Sequence, residues 1–197
     1  MKNHVALSAL LLLATMLLIS CGPRIVVKPP AEPLWSQQSK AWYAEVRKQG
    51  QSGDWLVIRG YKQGDHGVVA VTNIPLSHAA LLDLNAQVVI ESDATGVHRT
   101  PLGKFIHHAH RVLLIRPRWW TKERGSEAMK LAHSLVGKPY DWGGLVGVGS
   151  KDSYYCSELA VHVYHKHITP EEHLPRVIEP GQMFLWGKVL WDSRPRN

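Results

Sequence analysis

The chain has 197 residues, 45% of them hydrophobic, with 23 Lys and Arg against 16 Asp and Glu and a formal charge of +7. That balance suits one domain with a sizeable core and excludes a charge-dominated disordered chain. Two cysteines cannot build a disulfide framework, and the sequence carries no internal repeat, low-complexity tract or nucleic-acid motif.

The first element is not part of the fold. Lys2, an apolar run from Val5 to Ile19, then Ser20 and Cys21 form a basic n-region, a short h-region and a small residue at the cleavage point. This is the pattern of a secretory signal, and the run is shorter than the roughly 20 residues a membrane span needs. A cysteine directly after the small residue is what lipoprotein processing requires. Residues 1–20 are therefore expected to be a signal, with Cys21 lipidated as the membrane anchor. Gly22, by the sorting rule of the lipoproteins this segment resembles, implies the outer membrane. Residues 21–38 hold Pro23, Pro29, Pro30 and Pro33 and read as an extended tether ahead of a domain over 39–197. Losing residues 1–20 removes only Lys2 from the charged side chains and leaves about +6. A basic envelope protein could lie against anionic lipid or murein, but without a long basic run a solvated surface is the simpler reading.

Ser39 to Gln49 suits a helix, with Gly50 as its stop. Trp55–Ile58 and Val68–Val71 read as strands around a Gly/Asp-rich turn at Gln63–Gly67. Ala79–Leu82 and Val88–Ile90 read as a hairpin across residues 83–87, and Val112–Ile115 as a strand ended by Pro117. The period then changes. Ala128, Leu131, Ala132, Leu135 and Val136 follow helical spacing up to Gly137, a second helix is expected over Cys156–Lys166, and Lys188–Trp191 suits a last strand. Strands followed by helices predict an α+β domain with helices packed on an antiparallel sheet.

With Cys21 assigned to the anchor, Cys156 is a lone thiol, and it stands at a helix start, where backbone N–H groups stabilise a thiolate and can hold an oxyanion. The plain alternative is a buried, inert cysteine. A nucleophilic thiol needs a base. The clusters His107, His108, His110 and His162, His165, His167 lack the i, i+4 spacing of a zinc pair, and Cys156 has no CxxC partner, so no metal or other cofactor is expected. His78 begins a strand and Glu91 ends the next; across a hairpin the carboxylate can orient the imidazole while its other nitrogen faces Cys156.

Gly137-Lys138-Pro139-Tyr140-Asp141-Trp142-Gly143-Gly144 and Tyr155-Cys156-Ser157-Glu158-Leu159 resemble the nucleophile region of NlpC-type murein endopeptidases. In those enzymes the histidine follows the cysteine. Here only 41 residues follow, and Ser77-His78-Ala79-Ala80-Leu81 with Val89 to Val97 lie upstream instead. Histidine first and cysteine last is the order of the circularly permuted papain-like group, and the chain resembles YaeF/YiiX-type permuted amidases from about Gly53 to Gln182. The resemblance implies a permuted papain-like (NlpC-like) fold, Cys156 as nucleophile, His78 as base and acid, and Glu91 as orienting residue. It also implies that Tyr140 lines the substrate site, although a turn-packing aromatic fits that position equally well. Glu158 is a rival carboxylate, better suited to capping the helix. Trp142, Tyr154 and Tyr155 could bind an acyl chain or close the core.

Two functions follow as expectations. One is a cysteine amidase, peptidase or acyl hydrolase (or an acyltransferase) working through an acyl-thioenzyme. The other is a non-catalytic lipoprotein that binds murein or lipid. Murein peptides, N-acyl amino acids and lipid esters all fit as substrates, and no nucleic-acid partner is expected.

Overall fold

The apolar strands of the first half need cover on both sides, and the helices supply it. In a computed structural model, which describes residues 25–196, the elements run α1 (Leu34–Gln49), β1 (Trp55–Gly60), α2 (Gln63–Thr72), β2 (His78–Asp83), β3 (Val88–Asp93), β4 (Gly96–Pro101), α3 (Leu102–His107), β5 (Ala109–Pro117), α4 (Lys122–Ser134), α5 (Cys156–His162) and β6 (Gly187–Asp192), with short 3-10 turns after α4 and α5 and before β6. One antiparallel sheet of order β4-β3-β2-β1-β5-β6 forms the centre. The α+β architecture is the one expected. The signal, Cys21 and the first tether residues lie outside the described residues.

Side chains alternate across the pleat. On one face Trp55, Val57, Leu81 and Ile90 pack under Ala128 and Ala132 of α4 and Leu159 and Ala160 of α5. On the other, Leu56, Ile58, Ala80 and Val89 pack under Trp42 and Val46 of α1 and Phe105 and Ile106 of α3. Sandwiched between the layers, all six residues of β1 are buried.

Several elements differ from their sequence reading. Val68–Val71 is not a strand: with Gln63–Gly67 it forms α2. Its N-terminus is capped by Asp65, which accepts from the Lys62 N–H (2.9 Å) and from the Ser77 hydroxyl (2.6 Å), and Asn73 closes it in the left-handed conformation. β1 already has both neighbours, β2 and β5, so these valines have no open strand edge to join. Val69 turns inward, while Val71 is left 88% exposed. β4 and α3 had no counterpart in the sequence reading. α5 stops at His162 rather than Lys166, because the chain tightens there to bury Tyr164. α1 starts at Leu34, five residues ahead of the expected Ser39. The stretch before it is docked: the Arg59 guanidinium donates to the Ile25 carbonyl, and the Val27 N–H donates to His66 Nε2.

Asp54 sits fully buried just before β1, where its carboxylate takes a two-pronged contact from Arg116 of β5 (2.9 and 2.8 Å) and the Gln51 N–H. Burial still holds its pKa above the ordinary aspartate value. Arg116→Ala leaves a buried carboxylate unpaired and should cost about 3 kcal/mol in urea unfolding. The loss should be larger at pH 8 than at pH 5, since in acid the orphaned carboxyl takes up a proton.

Candidate active site

Cys156 is the first residue of α5, and the helix entry is fixed by its neighbours. The Tyr155 N–H donates to Glu158 Oε2 (3.1 Å), so Glu158 caps the helix. The Tyr155 hydroxyl accepts from the Ile178 N–H (2.8 Å), and the Ser157 hydroxyl donates to the Ile178 carbonyl (2.6 Å). The Ser92 hydroxyl of β3 donates to the Tyr154 carbonyl (2.6 Å), which ties the helix entry to the sheet. These bonds bring the buried thiol to the start of β2, close enough to His78 and the Ala79 N–H for both to act on its charge.

The sheet register supplies the rest. Ala80 pairs with Glu91, which sets His78, two residues earlier, diagonally beside that carboxylate. His78 Nε2 donates to Glu91 Oε2 at 2.6 Å and leaves Nδ1 for the sulfur. The structure thus brings Cys156, His78 and Glu91 into one line. Glu91 also pairs directly with His98 of β4, whose Nε2 lies 3.5 Å from Oε1.

Burial opposes every charge in this line, and the neighbours outweigh it. Burial would push the Cys156 thiol up; the His78 imidazolium and the Ala79 N–H bring it below the ordinary thiol value. Ser157 is 3.9 Å from the sulfur, but its proton is committed to Ile178, so it offers the thiol only a lone pair. Burial would lower His78; the thiolate and Glu91 raise it well above the ordinary histidine value. Burial would raise Glu91; the bonds from His78 and His98 hold it far below the usual carboxylate range. All three shifts run in the direction of a thiolate–imidazolium pair backed by a carboxylate.

Tyr140 enters from the loop after α4. The Val97 N–H donates to the Lys138 carbonyl (2.8 Å) and the Gly137 N–H to the Val97 carbonyl (2.8 Å), so this loop runs along the start of β4. Gly96 has φ +92° there, and a Cβ would strike the Lys138 carbonyl; only glycine fits. Burial first, and then the negative charge of Cys156, hold the Tyr140 phenol above its ordinary value, so it stays a donor. Its ring meets Trp142 edge-on at 4.7 Å. Trp142, Leu145, Val146 and Val148 project from the same loop exposed, whereas Tyr154 and Tyr155 are buried in the core.

The histidines of the two sequence clusters have structural partners. His107 stacks on Trp35 (4.0 Å), His165 Nδ1 contacts the His162 carbonyl, and His167 meets Glu127. Among the described residues no three His, Cys, Asp or Glu side chains converge as a metal site would require. The sequence reading missed His98. A signal for His98 existed: Asp93 and Gly96 flank a two-residue connection, and that hairpin sets residue 91 opposite residue 98.

Residues 57–183 match the permuted papain-like amidase enzymes, YaeF/YiiX, of the C92 family. A comparison with curated proteins finds no match. Among solved structures, YiiX from Escherichia coli O157:H7, described as a metalloprotein, is similar with a TM-score of 0.57 and 22% identity. The likeness covers 75% of this chain and 98% of that one. The shared fold is the permuted papain-like one.

Asp141 is the loop's anchor. Buried, it accepts from the Gly144 N–H (2.8 Å) and the Ser150 N–H (3.0 Å). Asp141→Ala leaves both donors without that partner and should cost about 2 kcal/mol. Hydrogen exchange should speed up within residues 142–150 while β1 stays protected.

Proposed function

For a chain that belongs to the permuted papain-like amidase family, we propose cysteine-dependent hydrolysis of an amide or ester through an acyl-thioenzyme, with Cys156, His78 and Glu91 as the working residues. The observation that carries this reading is the buried cluster in which His78 bonds Glu91 at 2.6 Å and acts on the charge of the Cys156 thiol beside it. The Cys156 thiolate attacks the substrate carbonyl carbon and forms an S–C bond. The resulting oxyanion is met by the Cys156 N–H at the start of α5 and by the Tyr140 hydroxyl, a donor at every working pH. As the intermediate collapses, the C–N or C–O bond breaks and His78 Nδ1 gives its proton to the leaving group. Water then attacks the thioester, His78 takes a proton from it, and the S–C bond breaks to release the acid and restore the thiolate. Glu91 holds the ring in place and stabilises its charge without taking the proton itself. An acyl acceptor other than water would make the same steps a transfer.

The proposal extends to location. Cys21 carries the lipid, the anchor lies in the outer membrane, and the domain works on the periplasmic side on a murein peptide or an acyl-bearing lipid. The exposed Trp142, packed on the Tyr140 ring, and the exposed Leu145, Val146 and Val148 of the same loop favour the acyl-bearing substrate, since exposed apolar side chains on a loop that carries a site residue suit an apolar ligand.

An acyl-electrophile probe should label the wild type, fail to label Cys156→Ala, and label His78→Ala about 100-fold more slowly, the contribution of a positioned base. Equal labelling of wild type and Cys156→Ala would sink the proposal. The pH dependence follows from the two shifts. At neutral pH iodoacetamide should modify Cys156 faster than an ordinary thiol of pKa about 8.5, and the rate should fall as pH drops through the lowered Cys156 value. In the host envelope, Cys21→Ala should move the protein from the membrane to the soluble fraction.

A further inference from the structure

His98 has no role in the chemistry above, yet its surroundings are unusual for a half-exposed histidine. Nδ1 lies 2.9 Å from the Gly96 carbonyl and 3.8 Å from Asp93 Oδ1. The Thr95 hydroxyl is 3.5 Å from Nδ1, but its proton goes to Asp93 Oδ1 at 2.7 Å, so it too presents a lone pair. Nε2 faces Glu91 Oε1 at 3.5 Å. Both ring nitrogens therefore look onto acceptors. A neutral imidazole carries one N–H and one lone pair, so either tautomer would turn a lone pair onto an acceptor. Only the doubly protonated ring suits both sides.

That places a second cation on the carboxylate that orients His78. Glu91 offers Oε2 to His78 and Oε1 to His98, and the pairing of β3 with β4 holds residues 91 and 98 directly opposite. Beyond His98 the alternation continues through Asp93 to Lys62 at the start of α2, 3.5 Å away. Acidic and basic groups alternate from the buried thiol to the surface: Cys156, His78, Glu91, His98, Asp93 and Lys62. From the connection between α3 and β5, His108 also feels the Glu91 charge, and its pKa is lowered by burial first and then by His107. It is the neutral histidine of the group.

We propose that His98, as an imidazolium, is a positioning residue that fixes the Glu91 carboxylate from its far oxygen, so that Glu91 holds His78 toward Cys156 in one orientation. The proposal rests on the Cys156–His78 reading above. Bonds to Glu91 and the Gly96 carbonyl raise the pKa of His98, in keeping with the geometry. Protonated below its folded value, the ring releases Glu91 as the pH rises through that value, and the reactivity of Cys156 should show an inflection there that belongs to His98 and not to the thiol.

The test needs no substrate. Nitrogen-15 spectra of the histidine rings should show both ring nitrogens of His98 protonated at pH 7, and the ring should titrate above the ordinary histidine value of about 6.5. The rate of Cys156 alkylation by iodoacetamide at pH 6 should fall about tenfold in His98→Ala, the scale of one charge-assisted hydrogen bond. His98→Gln keeps a donor toward Glu91 but cannot titrate. It should stay within about twofold of wild type, by the same scale, and lose the alkaline inflection. Equal melting temperatures for the two variants would separate positioning from a folding defect. A singly protonated His98 ring at pH 7 overturns the proposal, as does a His98→Ala alkylation profile that overlies the wild type. His78→Ala is the separate control: if it alkylates like wild type, the Cys156–His78 reading has failed, while the His98 ring spectrum still reports on His98 itself.

Discussion

The indole N–H of Trp55, at the start of β1, donates to the Ala160 carbonyl in α5 (2.9 Å), and the Tyr164 hydroxyl just past that helix donates back to the Gly53 carbonyl (2.7 Å). These two buried bonds cross more than a hundred residues of sequence and clamp α5 to the first strand. Each contributes only about 1 kcal/mol net, but breaking one strands a buried polar group at a greater cost. Their geometric consequence matters more than their energy. A seven-residue helix cannot position itself by propensity, and the thiol at its first residue can be no better placed than the helix. Gly53 belongs to the same clamp: at φ +93°, with the Tyr164 hydroxyl and the Gly125 backbone where a Cβ would sit, it lets the aromatic ring close onto the main chain.

The electrostatics follow from this seating. A thiolate, an imidazolium and a carboxylate are each costly to bury alone, and together they are tolerable only while the contacts are held at bonding distance. Asp54 and Arg116 show the same physics turned to structural use: one fully buried carboxylate, two guanidinium bonds, and no access for a reacting partner. The difference between the two sites is the neighbour. A guanidinium does not give up its proton, whereas an imidazole between a thiolate and a carboxylate can.

Much of this could be read from residue spacing. Short unbroken apolar runs marked β1, β2, β3 and β5, and the order of His78, Glu91 and Cys156 pointed to one site, because a hairpin brings residues 78 and 91 together whatever covers them. The misreadings share a cause. Val68–Val71 has strand composition, but its helix is decided by Asp65 at the cap and by the absence of a strand edge to pair with, neither of which a local window contains. The start of α1 was placed too late because prolines suggested a loose tether where the chain is docked against Arg59 and His66. His98 escaped notice because β4 is short of apolar residues: Gly96, His98, Arg99, Thr100 and Pro101 do not announce a strand, and only its pairing with β3 makes it one.

The docking of Ile25 bears on reach. Ile25 is held by Arg59 at the end of β1, and the neighbouring Ile58 pairs with His78, so the described chain begins at the end of the sheet where the imidazole lies. Four residue steps separate Cys21 from Ile25, and even fully extended they span only about 14 Å. With Cys21 lipidated as proposed, the leash is far too short for the domain to swing freely or to search the depth of the periplasm. Its working radius would be a thin layer next to the bilayer, and substrates would have to be found there.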